Sequence, residues 1–190
     1  MVWQASAERY ELRLEARAAG LALLVQQSLG FFDSAGLAPQ RFTDRRARRA
    51  ALAANFRREP GKEGGKVTFS ASSVEVELLP GIQDRLSWMV QLGAIAAAEP
   101  RLLGEREQIA MTVVGARGDA SIWTFVSLGE EPHGESSMAR VVRLQRIPET
   151  PYDTHVDIWL DAVAPHWPVR AHWQSGPNDP GLELWRTEKR

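Results

Sequence analysis

Cysteine is absent from this 190-residue chain, so disulfides and thiol chemistry are excluded, although that absence does not locate the protein. Excess charge is missing too. A formal net charge of -1 removes any global electrostatic case for nucleic acid or an anionic membrane. No apolar run approaches the roughly 20 residues that a membrane-spanning helix needs. Met1 to Ser6 has neither the basic n-region nor the apolar h-region of a signal peptide. The chain lacks a Gly-x-Ser-x-Gly elbow, a P-loop, a dinucleotide fingerprint and a His-Glu-x-x-His pair, which removes the best-marked enzyme classes. What it does contain is ordinary for a globular protein: 44% hydrophobic and 25% charged residues. This length suits one domain, residues 1–190, with a real core.

The strongest pattern is period-two alternation. Tyr10, Leu12, Leu14 and Ala16 point one way and Glu11, Arg13, Glu15 and Arg17 the other, the mark of a strand with one buried face. Gly20 to Leu29 reads as a second strand, bounded by Gly36 and Pro39 before another begins near Arg41. Val67–Ser70 and Val74–Leu78 are short strands. After residue 108 come Ile109–Val114, Ala120–Leu128, Met138–Ile147, Asp153–Asp161, Pro168–Gln174 and Leu182–Arg186, separated by turn-forming clusters. Such spacing predicts a mainly β, antiparallel meander with no βαβ units.

One segment breaks the pattern: Pro80-Gly81-Ile82-Gln83-Asp84-Arg85-Leu86-Ser87-Trp88, continuing to Pro100. It predicts a helix over residues 84–98, with Asp84 as N-cap and Pro100 as stop. Fifteen residues at about 1.5 Å each span roughly 22 Å, too short for a bilayer. Trp88, Leu92 and Ile95 share a face that Leu86, Met89, Val90 and Gly93 broaden, which implies a largely enclosed helix. A curved sheet or partly open β-barrel wrapped around this helix buries both apolar surfaces, at about 25 cal/mol per Å².

Candidate chemistry is sparse. Asp84, Arg85 and Ser87 set an acid, a cation and a hydroxyl at the helix mouth; the same residues suit a cap with pairing to neighbouring strands. Gln83, Asp84, Arg85, Ser87 and Trp88 are the candidate ligand-binding residues, and an enzyme with Asp84 and Arg85 at the helix mouth is the alternative. No residue is assigned as catalytic. Asp153, His155, Asp157 and Asp161 share a strand face by alternation, followed by His166 and His172. On an outward face that is polar alternation and not a metal site, and no metal or cofactor is expected. Arg41 to Lys66 holds nine Arg or Lys against three acids. It lacks the interleaved aromatics of single-strand binders and reads as a solvated face, so no nucleic acid partner is expected. Seven tryptophans either fill a β core or line an apolar ligand site.

Four segments occur in an order that resembles a known family: "GLAPQRF" (36–42), "VTFSA" (67–71), "LPGIQDRLSWMVQLGAI" (79–95) and "YDTHVDIWLDAVAPHWPVR" (152–170). Together they resemble the bacterial domain-of-unknown-function family 3108. The resemblance implies a β-rich envelope or periplasmic domain, typically behind an N-terminal anchor or export signal, with no established activity. The expected role is a non-enzymatic envelope binding or scaffolding domain, with an apolar or lipid-like small molecule or an envelope protein as partner. Members typically begin with an extra hairpin strand and an export or anchor segment before the part matching Trp3 to Arg17, and both are missing here. Phe31-Phe32-Asp33 stands where members often carry Ser/Gly-rich residues. The Trp159-Leu160-Asp161 strand end and Pro168-Val169-Arg170 strand start are also similar to the closing hairpins of periplasmic lipoprotein carriers, which are half-barrels over an acyl-chain cavity.

Overall fold

The computed structural model describes residues 1–18, 20–59, 64–134, 136–146, 148, 150, 153–176, 179 and 181–186. The chain is mainly β, and the described residues form one α-helix and two curved sheets, the second of them a half-barrel. The first sheet runs in chain order: β1 (Val2–Ala5), β2 (Arg9–Ala18), β3 (Leu21–Asp33), β4 (Gly36–Arg46), β5 (Leu52–Arg58), β6 (Gly65–Phe69) and β7 (Glu75–Glu77). The second is ordered β14-β13-β12-β11-β10-β9-β8. Its strands are β8 (Gln83–Asp84), β9 (Gln108–Val114), β10 (Ala120–His133), β11 (Ser136–Arg146), β12 (Thr154–Asp161), β13 (Pro168–Ser175) and β14 (Leu182–Trp185). Helix α1 (Trp88–Ala98) follows β8. Contacts group the chain into two compact units, residues 1–88 with 111–122, and residues 89–110 with 123–190.

In the first unit the alternation of β2 translates directly into burial: Tyr10, Leu12 and Leu14 are inside, while Arg13 and Arg17 are exposed. The β3–β4 hairpin is longer than the turn residues suggest. Gly36 opens β4, and Pro39 lies inside it opposite Gly30. Proline is tolerated there because the register slips between Leu29 and Gly30, and β5 pairs only with Arg41–Asp44. Gly30 is required by contact. A Cβ there would collide with the Ala38 carbonyl oxygen and sit 2.7 Å from the Tyr10 ring. Gly30→Ala is therefore expected to cost about 1–3 kcal/mol through overpacking, measured by urea unfolding. An unchanged midpoint would show that both the Ala38 carbonyl and the Tyr10 ring can give way.

One pair departs from the antiparallel pattern: Gln83 and Asp84 lie parallel to Val113 and Val114. The helix consequently starts later than the sequence suggests. Arg85–Ser87 forms a turn, and α1 proper begins at Trp88. From Trp88 to Gly93 every residue is buried, so this half of the helix has no solvent face. Ala94 and Ile95 are half-buried, and full exposure begins at Ala97.

In the second unit, β10 through β14 form an antiparallel meander. β10 extends to His133, beyond the Leu128 end suggested by the Glu131–Gly134 turn residues, because it pairs with β11 through a register shift after Ser127. The tryptophans divide between core and surface. Trp88, Trp123 and Trp159 are buried, whereas Trp185 is exposed and lies against the Arg170 guanidinium, 4.5 Å from it. Among the described residues no helix is long and apolar enough to cross a membrane.

Candidate functional site

The helix mouth belongs to the first unit and is built from strand ends. β8 delivers Gln83 and Asp84 beside β9, β2 contributes Tyr10, and β3 contributes Ser28. Asp84 is completely buried. Its Oδ1 accepts the backbone N–H groups of Leu86 and Ser87, both at 2.8 Å. Ser87 Oγ in turn accepts the N–H of Asp84 at 3.0 Å. This is a reciprocal capping box with serine in the place of the usual Glu or Gln. The other carboxylate oxygen accepts the Ser28 hydroxyl at 2.5 Å, and Ser28 Oγ is 3.2 Å from Tyr10 Oη. A continuous chain thus runs Tyr10, Ser28, Asp84, Ser87, with none of the four reaching the surface.

Burial dominates the electrostatics. It pushes the Asp84 carboxyl up to about 6 against the hydrogen bonds from Ser28, Ser87 and Leu86, which act to lower it. Burial, with the Asp84 charge second, also raises the Tyr10 phenol well above its ordinary value. A raised carboxyl in a cleft would suggest a general acid or base. Here the carboxylate faces two backbone amides and a serine, and it touches no surface.

The remaining candidates are equally committed. Gln83 is buried and donates to the carbonyls of Leu37 at 2.7 Å and Gly81 at 3.2 Å, tying β4 to the approach of β8. Its Oε1 has no partner. Arg85 pairs with Asp119 at 2.7 Å, an ion pair open enough to solvent to add little stability. The Trp88 indole N–H donates to the Arg85 carbonyl at 3.1 Å. The five residues are therefore brought together, but as a clasp. None of them lines either of two open clefts, one of about 190 Å³ and one of about 350 Å³. Sequence reasoning missed Tyr10 and Ser28 as members of this network. The available signal was an inward-facing tyrosine on an otherwise aliphatic strand face, since a buried phenol needs a hydrogen-bond partner.

The Asp/His series on β12 is held by arginines. Asp157 Oδ1 accepts Arg143 at 2.8 and 3.0 Å and Gln145 at 3.1 Å, while Oδ2 lies 3.0 Å from His155 Nε2. Burial acts to raise Asp157, but Arg143, His155 and Gln145 outweigh it and hold the carboxyl below its usual range. Asp153 pairs with Arg146, and Asp161 with Arg186. Among the described residues no group of three or more His, Cys, Asp or Glu side chains is placed to hold a metal ion.

A two-sheet β protein with a buried polar clasp ahead of its one helix is the class these features define. Residues 1–177 match the family described as Protein of unknown function (DUF3108), and the chain belongs to that family. No curated protein matches it. No solved structure does either.

Proposed function

We propose that this is a non-enzymatic domain of the bacterial cell envelope that binds or scaffolds a protein partner. The observation that carries the reading is the burial of Asp84 and the use of both its oxygens inside the fold. A catalytic base must reach a substrate proton, and Asp84 meets only its own chain. The fully enclosed Trp88–Gly93 turn of α1 supports a packed interior over an acyl-chain cavity. Both clefts are rimmed by charged side chains, Arg58 and Asp33 in one and Arg140, Glu130 and Asp161 in the other, which suits polar partners better than lipid. Envelope placement rests on the family resemblance.

The test combines fractionation with native mass spectrometry on the full-length protein, tagged at its chromosomal locus. The expected result is recovery in the envelope or periplasmic fraction, with mass increments that correspond to protein and none to acyl lipid. Cytosolic recovery would remove the envelope placement. A stoichiometric lipid adduct would replace the scaffold reading with a carrier.

A further inference from the structure

The Phe31-Phe32-Asp33 run serves two sides of β3. Phe32 packs against Tyr10 and Trp3, with ring centroids 5.9 and 6.5 Å away. Phe31 faces Arg58, whose guanidinium lies 4.8 Å from its ring centroid. Arg58 donates one hydrogen bond, from Nη1 to the Pro39 carbonyl at 2.6 Å. A guanidinium carries five N–H donors in a planar fork, so among the described residues most of this fork is left without a protein acceptor. It lines the cleft of about 190 Å³, together with Asp33, Ser34, Leu78, Leu79 and Pro80.

Arg58 is half-buried and, among the described residues, forms no ion pair. The Asp33 carboxylate acts on it, yet its Oδ1 accepts the Ala35 N–H at 2.8 Å, closing the hairpin turn. Burial pulls the guanidinium below its usual range, with Asp33 and Tyr10 opposing, and at neutral pH it remains a cation. A partly desolvated cation with open donors is unfavourable unless an anion meets it. The Phe31 ring and the Pro39 carbonyl fix the plane of the fork, so little freedom is lost when a planar anion docks.

We infer that this cleft binds the carboxylate of a small ligand, with the Arg58 fork on its oxygens and a short aliphatic group against Leu78, Leu79 and Pro80. Two sources offer that chemistry, a free short-chain acid and the C-terminal carboxylate of a peptide. Asp33 weakens the site by like-charge repulsion, which sets affinity in the millimolar range. The inference is independent of where the protein resides.

Isobutyrate titrated into the ¹⁵N-labelled protein tests it. Saturable shifts are expected at the Ser34, Ala35 and Gly64 amides with a Kd of about 1–10 mM, while neutral isobutyramide leaves them unmoved. Asp33→Asn keeps the turn acceptor and should tighten isobutyrate about threefold or more. Arg58→Lys should weaken it about tenfold by losing the fork. Ser34→Trp, on an exposed turn, should block the cleft while leaving Tm unchanged, which covers the case of an Arg58 variant that unfolds. Tighter binding of N-acetylalanylvaline than of isobutyrate assigns the site to peptide C-termini; equal or weaker binding assigns it to free acids. Non-saturating shifts, equal response to the amide, weaker binding in Asp33→Asn or unaffected binding in Ser34→Trp would each overturn the inference.

Discussion

Asp84→Asn is expected to be more stable than the wild type above pH 6, while Asp84→Ala is expected to be markedly less stable. The folded-state carboxyl titrates at about 6 against 3.8 when free. The folded protein therefore holds the Asp84 proton more tightly than the unfolded chain does. Between those two values stability falls as pH rises, and above 6 the full cost of the buried charge is present, about 3 kcal/mol. Asparagine removes that titration and keeps the geometry. Its Oδ1 can accept the Leu86 and Ser87 amides, and its Nδ2 can donate to Ser28 Oγ, whose hydroxyl then turns to Tyr10. A gain of about 1–2 kcal/mol at pH 7.5 is expected, the rest being lost with the charge-assisted bonds. Alanine also removes the charge, but it leaves two amides and Ser28 unsatisfied in a dry site, a net loss of about 2–4 kcal/mol. Urea unfolding of the three proteins from pH 4 to 8 is the measurement. The difference between wild type and Asp84→Asn isolates this carboxyl from the others. A difference independent of pH would show that the folded-state carboxyl is not raised, and an asparagine variant as weak as alanine would show that the clasp needs the negative charge.

The second large effect lies in the other unit, where Gly93→Ala is expected to destabilise although alanine is the better helix former. On an exposed helix the change would gain about 1 kcal/mol. Here a Cβ would stand 2.6 Å from the His166 carbonyl oxygen and 3.4 Å from that of Pro165. Neither oxygen belongs to a side chain that could swing away. The turn between β12 and β13 is tied by Asp161 N–H to Trp167 O at 2.9 Å, His166 N–H to Val163 O at 3.0 Å and His166 Nδ1 to Asp161 O at 2.9 Å. His166 also holds a left-handed φ of 56°. Separating helix and turn should cost about 2–4 kcal/mol, a Tm drop of roughly 5–15 °C by calorimetry. Ala97→Gly, at an exposed position of the same helix, should cost only about 1 kcal/mol by propensity. If Gly93→Ala gained about 1 kcal/mol while Ala97→Gly lost about the same, helix propensity and not the close approach would govern this site.

The clasp explains why the helix mouth resembled an active site. An acid, a hydroxyl and an amide packed together are what a catalytic centre needs, and they are also what a buried chain reversal needs to satisfy its N–H groups. A capping role for Asp84 followed from its place before an apolar run, although it caps the Arg85–Ser87 turn ahead of the helix and not the helix itself. Its raised carboxyl did not, because that depends on being sealed by Tyr10 and Ser28 from strands more than fifty residues earlier. Gln83 gave no hint of its role, since its partner is a backbone carbonyl on β4.

Local sequence pattern determined the mainly β character, the antiparallel meander and the presence of the helix after Gln83-Asp84, though not its first residue. Alternation and apolar width are properties of neighbouring residues, and burial acts on them directly. Only the tertiary structure decided the parallel β8–β9 pair, the passage of β4 through Pro39, the requirement for glycine at positions 30 and 93, and the pairing of Arg58 with Phe31. Each of these depends on which distant backbone or ring arrives alongside, and a chain read in order carries no local record of that contact.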